Sequence, residues 1–278
     1  MNPNDLYEKL IQRPTIELGG KRYFIAENDH KVAEEKLMDY VDSICRPPVP
    51  AVGGKKKSSE LVAATIDGRK IRWKAPVVLT WKMDEDSFKG HPKRRKKALK
   101  LCIAATDDWN NAVREMGVYD KIHFERAAEG KPVFTFAFHP FDTDPGLLAL
   151  AFFPNAPVEE RVVYIGPGAL DSYIGYDQVG IIRHELGHVI GARHEHIRPE
   201  SMAHLTEEEK QKMEQWVTGE ISGEALTKFD GQSVMHYPVD PAKGLGTYEF
   251  ELSETDKEGF AALYAPPYDE ATMREFSI

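Results

Sequence analysis

Apolar residues recur at helical spacing in several stretches of the chain, with short strand-like runs between them. In residues 32–44 the apolar positions Val32, Leu37, Tyr40, Val41 and Ile44 predict a helix, and Leu101, Ala104, Ala105, Trp109, Ala112, Val113 and Met116 predict a longer one over 98–116. Asp177 is a good N-cap for a third helix carrying Val179, Ile181, Ile182, Leu186 and Val189 on one side. Two more are expected over 205–217, opened by Thr206 and Glu209 as a capping box, and over 253–264, opened by Ser253 to Asp256. Strand-like runs fall at 21–26, 61–66, 71–73, 77–81, 133–138, 147–153 and 162–165, and Asp67-Gly68 predicts a hairpin between the second and third. The elements together predict a mixed α+β chain.

The Pro/Gly/Lys/Ser tract 47–59 cannot build a core, so it divides the chain. Residues 1–46 are expected to form a small N-terminal module, a candidate prosegment. Residues 47–60 form a linker open to proteolysis, and 61–278 form the main domain. With 278 residues and 41% hydrophobic content the chain can bury a sizeable core. Its net charge of −9 disfavours non-specific nucleic-acid binding, and the basic cluster Lys93 to Lys97 reads as a solvated helix start. No apolar run has the length of a secretory signal or a membrane span, so a cytoplasmic chain, or one exported by a signal-independent route, is expected. Cys45 and Cys102 are the only cysteines, which excludes a disulfide framework and leaves either one bridge or two thiols. Asp142 and Asp144 could hold Ca2+ or simply turn the chain.

The chemistry concentrates in His184-Glu185-Leu186-Gly187-His188-Val189-Ile190-Gly191-Ala192-Arg193-His194. His184 and His188 lie one helical turn apart on a single face, so both imidazoles can close on one metal ion. Gly191 can leave the helix with positive φ, turning the chain so that His194 reaches the same ion. Three neutral imidazoles with an open fourth position describe a catalytic zinc site, and Glu185 beside the first ligand is placed to act as general base. His196 and His236 are expected at the surface or behind the ligands rather than on the metal.

The extended motif HExxHxxGxxH resembles that of the metzincin zinc peptidases. Glu195 after the third histidine and Ser233-Val234-Met235-His236-Tyr237, similar to the SxMHY Met-turn, resemble the astacin branch. Leu148-Ala149-Leu150-Ala151-Phe152-Phe153-Pro154 is similar to the LAxAFFP strand of matrix metalloproteinases. This resemblance implies a zincin fold: a twisted, mostly parallel sheet with an antiparallel edge strand, two long helices including the active-site helix, and a C-terminal part, from about 192, with the Met-turn. It further implies that Met235 lies under the metal, that Tyr237 is a further zinc ligand and oxyanion donor, and that a peptide is laid along Leu148, Ala149, Leu150, Ala151 and Phe152. Gly191, Met235 and Glu195 take structural roles. The FxGD sequence of astacin propeptides does not occur in residues 1–60. Cys45-Arg46-Pro47 is similar in outline to the cysteine switch of matrix metalloproteinases, so Cys45 is either a zinc-blocking thiolate or a plain structural cysteine.

The expected function is therefore zinc-dependent endopeptidase activity through a zinc-activated water and Glu185, acting as a monomer on a protein or peptide substrate, with neither nucleic acid nor membrane as partner. The alternative is an inactive, peptide-binding metzincin-like protein.

Overall fold

The computed structural model describes residues 3–27, 29–45, 62–171, 175–196, 198, 201, 203, 205–208, 210, 224–225, 228–265 and 270–278. Its N-terminal part consists of α1 (Pro3–Leu10), an antiparallel meander of β1 (Thr15–Leu18), β2 (Lys21–Ala26) and β3 (His30–Ala33), and α2 (Leu37–Cys45). Val32 therefore belongs to a strand, not to the helix expected over 32–44. It pairs with Phe24, and the helix waits until Leu37. Leu6, Leu10, Phe24, Val32, Leu37 and Val41 form a small core under α1 and α2. The opposite face of the meander, Ile16, Leu18, Tyr23 and Ile25, packs on Phe141, Leu147 and Leu150 of the main domain.

The main domain opens with β4 (Val62–Ala63), β5 (Thr65–Ile66) and β6 (Arg69–Trp73). Asp67 (φ 53°) and Gly68 (φ 73°) make the two-residue turn between β5 and β6, as the Asp-Gly pair predicts. Then follow β7 (Val77–Met83), α3 (Pro92–Glu115), β8 (Ile122–Arg126), β9 (Phe134–Phe138), β10 (Ala149–Leu150), β11 (Val162–Ile165), α4 (Pro167–Leu170), α5 (Gln178–Val189), β12 (Glu224–Ala225), α6 (Glu254–Tyr264) and β13 (Met273–Phe276). The five-stranded sheet runs β10-β11-β9-β7-β8, parallel except for β10, which pairs antiparallel with β11. This is the mostly parallel sheet with an antiparallel edge that the metzincin resemblance implies.

Helix α3 begins at Pro92, so Lys93 to Lys97 form its first turns as expected; Pro there needs no N–H partner, and the basic residues find contacts. Arg95 pairs with Glu85 (2.6 Å) and Lys97 donates to Leu170 O (2.6 Å). Buried faces of α3 and α5 share one core with Trp73, Trp81, Phe134, Phe136 and Phe152. The indole N–H of Trp109 donates to Arg183 O (2.9 Å) and that of Trp73 to Val189 O (2.7 Å), tying the middle and the C-terminal end of α5 to their surroundings. Strands β8 and β13 and helix α1 were not expected from the hydrophobic pattern, and of the strand expected over 147–153 only Ala149–Leu150 joins the ladder. The tract 47–59 lies outside the described residues, as does most of the helix expected over 205–217. Its start shows in Lys210 N donating to Thr206 O (2.9 Å). Among the described residues no helix is long and apolar enough to cross a membrane.

Candidate metal centre

Asp177 caps α5 as expected, accepting from Val179 N (3.4 Å) and Gly180 N (2.8 Å). At the other end Gly191 takes φ 103°; Gly191 N donates to His188 O and Ala192 N to Gly187 O, both at 2.9 Å, which is a Schellman closure. A Cβ on Gly191 would stand 2.8 Å from Ile71 O, so the position requires glycine for space as well as for φ. The turn also frees Ala192 O to face His188 Nδ1 (2.9 Å) and points the chain toward His194.

The three histidines meet as the spacing predicts. Ring centroids lie 5.0 Å apart for His184 and His188, 4.7 Å for His188 and His194, and 5.2 Å for His184 and His194, all buried. His184 Nδ1 faces Val234 O (2.7 Å), whose carbonyl can only accept, so the proton sits on Nδ1 and the Nε2 lone pair points inward. The same reasoning applies to His188 through Ala192 O. Burial lowers the His184 pKa to about 4, so the ring is neutral at neutral pH.

The fourth member of the cluster is Asp29, which lies outside every motif legible in the sequence. Its carboxylate lies 3.1 Å from His184 Nε2, 3.4 Å from His188 Nε2 and 2.9 Å from His194 Nε2, and all four ligand atoms fall within 4.8 Å of one another. Burial acts to raise the Asp29 pKa, but contact with His194 and His188 brings it well below the ordinary carboxylate range. Lone pairs of imidazoles and of a carboxylate converge here, and His188 Nε2 and Asp29 Oδ1 are buried without a hydrogen-bond partner. A borderline-soft cation that accepts both nitrogen and oxygen ligands would satisfy all four, so the donor set fits Zn2+.

Behind the ligands, Glu27 Oε2 faces His194 Nδ1 (3.2 Å), and Glu27 also accepts from Tyr40 OH (2.9 Å) and from Arg193. Met235 is fully buried beneath α5, where a Cβ on Gly187 would come within 2.3 Å of its sulfur, so glycine inside the motif makes room for the methionine. The turn before Met235 is held by Asp256: Ser233 Oγ donates at 2.6 Å and Val234 N at 2.8 Å, while Ser253 and Asp256 form the capping box of α6. Glu195 accepts from Arg198 (3.0 Å) and Asp230 N (3.1 Å), and its own N–H donates to Met235 O (2.9 Å), joining the third histidine to that turn.

The Tyr237 hydroxyl donates to the Asp29 carboxylate, and its ring stacks on His184 (5.4 Å) and His196 (4.3 Å). Glu185 is buried with one carboxylate oxygen unpartnered, and burial, then the neighbouring Asp29, pushes its pKa well above the usual range. It lines a cleft of about 660 Å³ together with Leu148, Tyr176, Ile181, Tyr237 and Phe250. Along the expected substrate strand, Ala149 and Leu150 form edge strand β10, Leu148 is half-buried, and Ala151 and Phe152 are buried. That edge is already engaged: His30 bridges Ala151 in parallel, Ala151 N donates to Asp29 O (3.3 Å), and Lys31 Nζ donates to Val162 O (3.2 Å).

The structure corrects or narrows several expectations. Cys45 ends α2 against the small N-terminal core and takes no part in the cluster, where Asp29 stands instead. Cys45 and Cys102 are both free thiols. His196 and His236 are fully buried rather than at the surface, with His236 facing Ser201 Oγ (3.0 Å). Asp144 forms its own turn, accepting from Gly146 N (3.3 Å). Asp29 and Glu27 had one usable signal: Arg193, a cation inside the apolar run before His194, requires a buried counter-charge from elsewhere in the chain.

The model of the Astacin peptidase family matches residues 163–247. Tolloid-like protein 2 of Mus musculus and of Homo sapiens are each 40% identical over 82 residues, 26% of this chain and 8% of the relative. The chain thus covers only a small part of those relatives. Among solved structures it is similar to myroilysin, at 20% identity over 71% of this chain and 97% of that one with TM-score 0.41. It is also similar to high choriolytic enzyme 1 of Oryzias latipes, at 17% identity over 69% and 94% with TM-score 0.40. The third histidine, Glu195 and the Met-turn all fall inside the matched segment, so it is over residues 163–247 that the chain is similar to the Astacin peptidase family.

Proposed function

We propose that the main domain is a zinc-dependent endopeptidase and that residues 3–45 hold it latent by lying in its cleft. The observation that carries the first part is the convergence of three Nε2 lone pairs beside the buried carboxylate of Glu185. His184, His188 and His194 would hold the zinc, which when bound supplies Lewis acidity, acidifying a water nucleophile to a pKa of about 7 and polarising the scissile carbonyl. Glu185 takes the proton of that nucleophile and returns it to the departing amine. Its buried carboxylate, with one oxygen left without a partner and lining the cleft beside His184, is placed for both transfers. Tyr237, its hydroxyl already aimed at an anionic oxygen, donates a hydrogen bond to the carbonyl oxygen as negative charge grows there. The edge of β10, once cleared, aligns the peptide main chain by strand addition.

The second part rests on Asp29. Its carboxylate stands among the three Nε2 atoms, where a substrate and water would have to reach, while His30 bridges the edge strand at Ala151. Metal analysis of the purified chain, with casein cleavage before and after limited proteolysis in the tract 47–59, tests both. The expected result is about one zinc per chain and chelator-sensitive cleavage that rises after the cut. A chain without bound zinc, or with equal cleavage in the presence of chelator, ends the peptidase reading. Equal activity before and after the cut ends the latency reading alone.

A further inference from the structure

Arg193 has no part in the chemistry proposed above, yet it is buried directly before a ligand. Its backbone is fixed: Arg193 N donates to Val62 O (2.6 Å) and Ala192 bridges Ala63. The guanidinium meets both oxygens of Glu27, through Nε at 3.3 Å and through Nη2, and Nη2 also approaches Tyr40 OH (3.3 Å). Glu27 itself sits at φ 51°, a left-handed conformation uncommon for glutamate, as its side chain reaches Arg193 and His194 Nδ1 together. Arg193 and His194 thus form a carboxylate cradle on the main domain, filled by a carboxylate of the N-terminal part.

The occupant lies where the chain passes from β2 to β3. Glu27 stands two residues before Asp29, and the next residue, His30, bridges the edge strand at Ala151. The pocket beside the cradle, about 290 Å³, is walled on the main-domain side by Ile66, Ile71 and Phe153. Among the described residues lining it, Lys31 and Lys36 depart with residues 3–45 while Arg193 stays. Glu160 in the same pocket loses its partner Lys36 (3.7 Å), so an acidic preference belongs to the one substrate position that reaches Arg193. The larger cleft on the other flank contributes Asp144 and Glu185 and, among the described residues lining it, no Lys or Arg.

Resting on the peptidase reading, we infer that Arg193, with His194 Nδ1, is a specificity determinant that binds an acidic side chain of the substrate on the Phe153 flank once Glu27 has left. Arg is suited to this because its planar fork meets a carboxylate in two bonds, and a charge-assisted bond there gives about a tenfold preference for Glu over Gln.

The test uses the whole chain, cut in the tract 47–59 with both fragments retained, and peptide pairs differing only by Glu or Gln at each position around the cleaved bond. One position should show about tenfold higher kcat/KM for Glu, lost in Arg193→Gln and partly kept in Arg193→Lys, with zinc content and Tm reported for each variant. Equal cleavage of Glu and Gln peptides at every position overturns the inference, and so does a preference that persists in folded Arg193→Gln. A second arm reads binding rather than turnover: fluorescence anisotropy of the same labelled pairs on the cut Glu185→Gln chain. About tenfold tighter binding of the Glu peptide at low salt, shrinking as salt is added, supports the cradle; equal affinities overturn it. If the cut wild type holds no zinc or cleaves equally with chelator, the peptidase reading falls while the anisotropy still decides the cradle.

Discussion

Helix α5 and the turn between strands β2 and β3 both deliver side chains to the same cluster, one through packing and the other through charge. On the α5 side the groups behind the histidines are backbone carbonyls and close apolar contacts: Val234 O on His184, Ala192 O on His188, and Met235 against Gly187. On the N-terminal side they are carboxylates and cations, Asp29 on the Nε2 atoms and Glu27 between Arg193 and His194. A network of the first kind offers no alternative partner, so it stays. Water, metal or a competing carboxylate can satisfy every group of the second kind, so it can be displaced without unmaking the site. The difference separates a permanent scaffold from an occupant.

The largest expected effect belongs to the chemistry that the scaffold holds. Glu185→Gln in the cut chain should retain zinc and the wild-type Tm while kcat falls by about 10²–10⁴-fold; unchanged turnover would remove Glu185 from the mechanism. Next comes the occupant. Asp29→Ala in the uncut chain should raise cleavage of a peptide substrate by about tenfold or more, since one bond of the block is lost while the three histidines keep the metal. If the uncut variant stays as inactive as wild type, the N-terminal part blocks by bulk rather than through Asp29. Gly191→Ala then probes the scaffold itself. Both the φ of 103° and the 2.8 Å approach to Ile71 O resist a Cβ, so a loss of about 3 kcal/mol and weaker zinc retention are expected by thermal melting and metal analysis. A melting temperature like wild type would mean that the turn tolerates a side chain and that the contrast between rigid scaffold and loose occupant is overdrawn.

The same contrast explains what could be read from the sequence. The scaffold is local: His184 and His188 are one turn apart, Gly191 closes the helix, Asp177 and Ser253 cap theirs, and Asp67-Gly68 makes its hairpin, so spacing and turn chemistry announce each of them. The occupant is remote. Asp29 is 155 residues from His184, and Glu27 is 166 from Arg193, and no periodicity links such pairs. Resemblance to FxGD or to a cysteine switch offered two patterns for a blocking ligand, and the residue at the cluster fits neither. Strand β8 was missed for another reason: in Ile122–Arg126 only alternate residues are buried and the last two are exposed and charged, so the strand reads as a loop until β7 pairs with it.

The smallest effect tests whether a buried carboxyl of the scaffold, that of Asp256, behaves as part of the packed side. Asp256 joins the cap of α6 to the Met-turn, and burial raises its pKa to about 6 from 3.8. A carboxyl raised on folding holds a proton in the native state that the unfolded chain releases. Its contribution is therefore fully present below about pH 4 and is lost as pH rises through 6. Over pH 4.5 to 7.5 this amounts to about 2 kcal/mol. Asparagine does not titrate, so the stability deficit of Asp256→Asn relative to wild type should be greater at pH 4.5 than at pH 7.5. Measured by melting both chains after metal removal, the deficit should narrow by roughly 4–8 °C across that range. A deficit that widens toward pH 7.5 would show that Asp256 works as a charged acceptor for Ser233, Val234 and Ser253. In that case the Met-turn, too, would be held by charge.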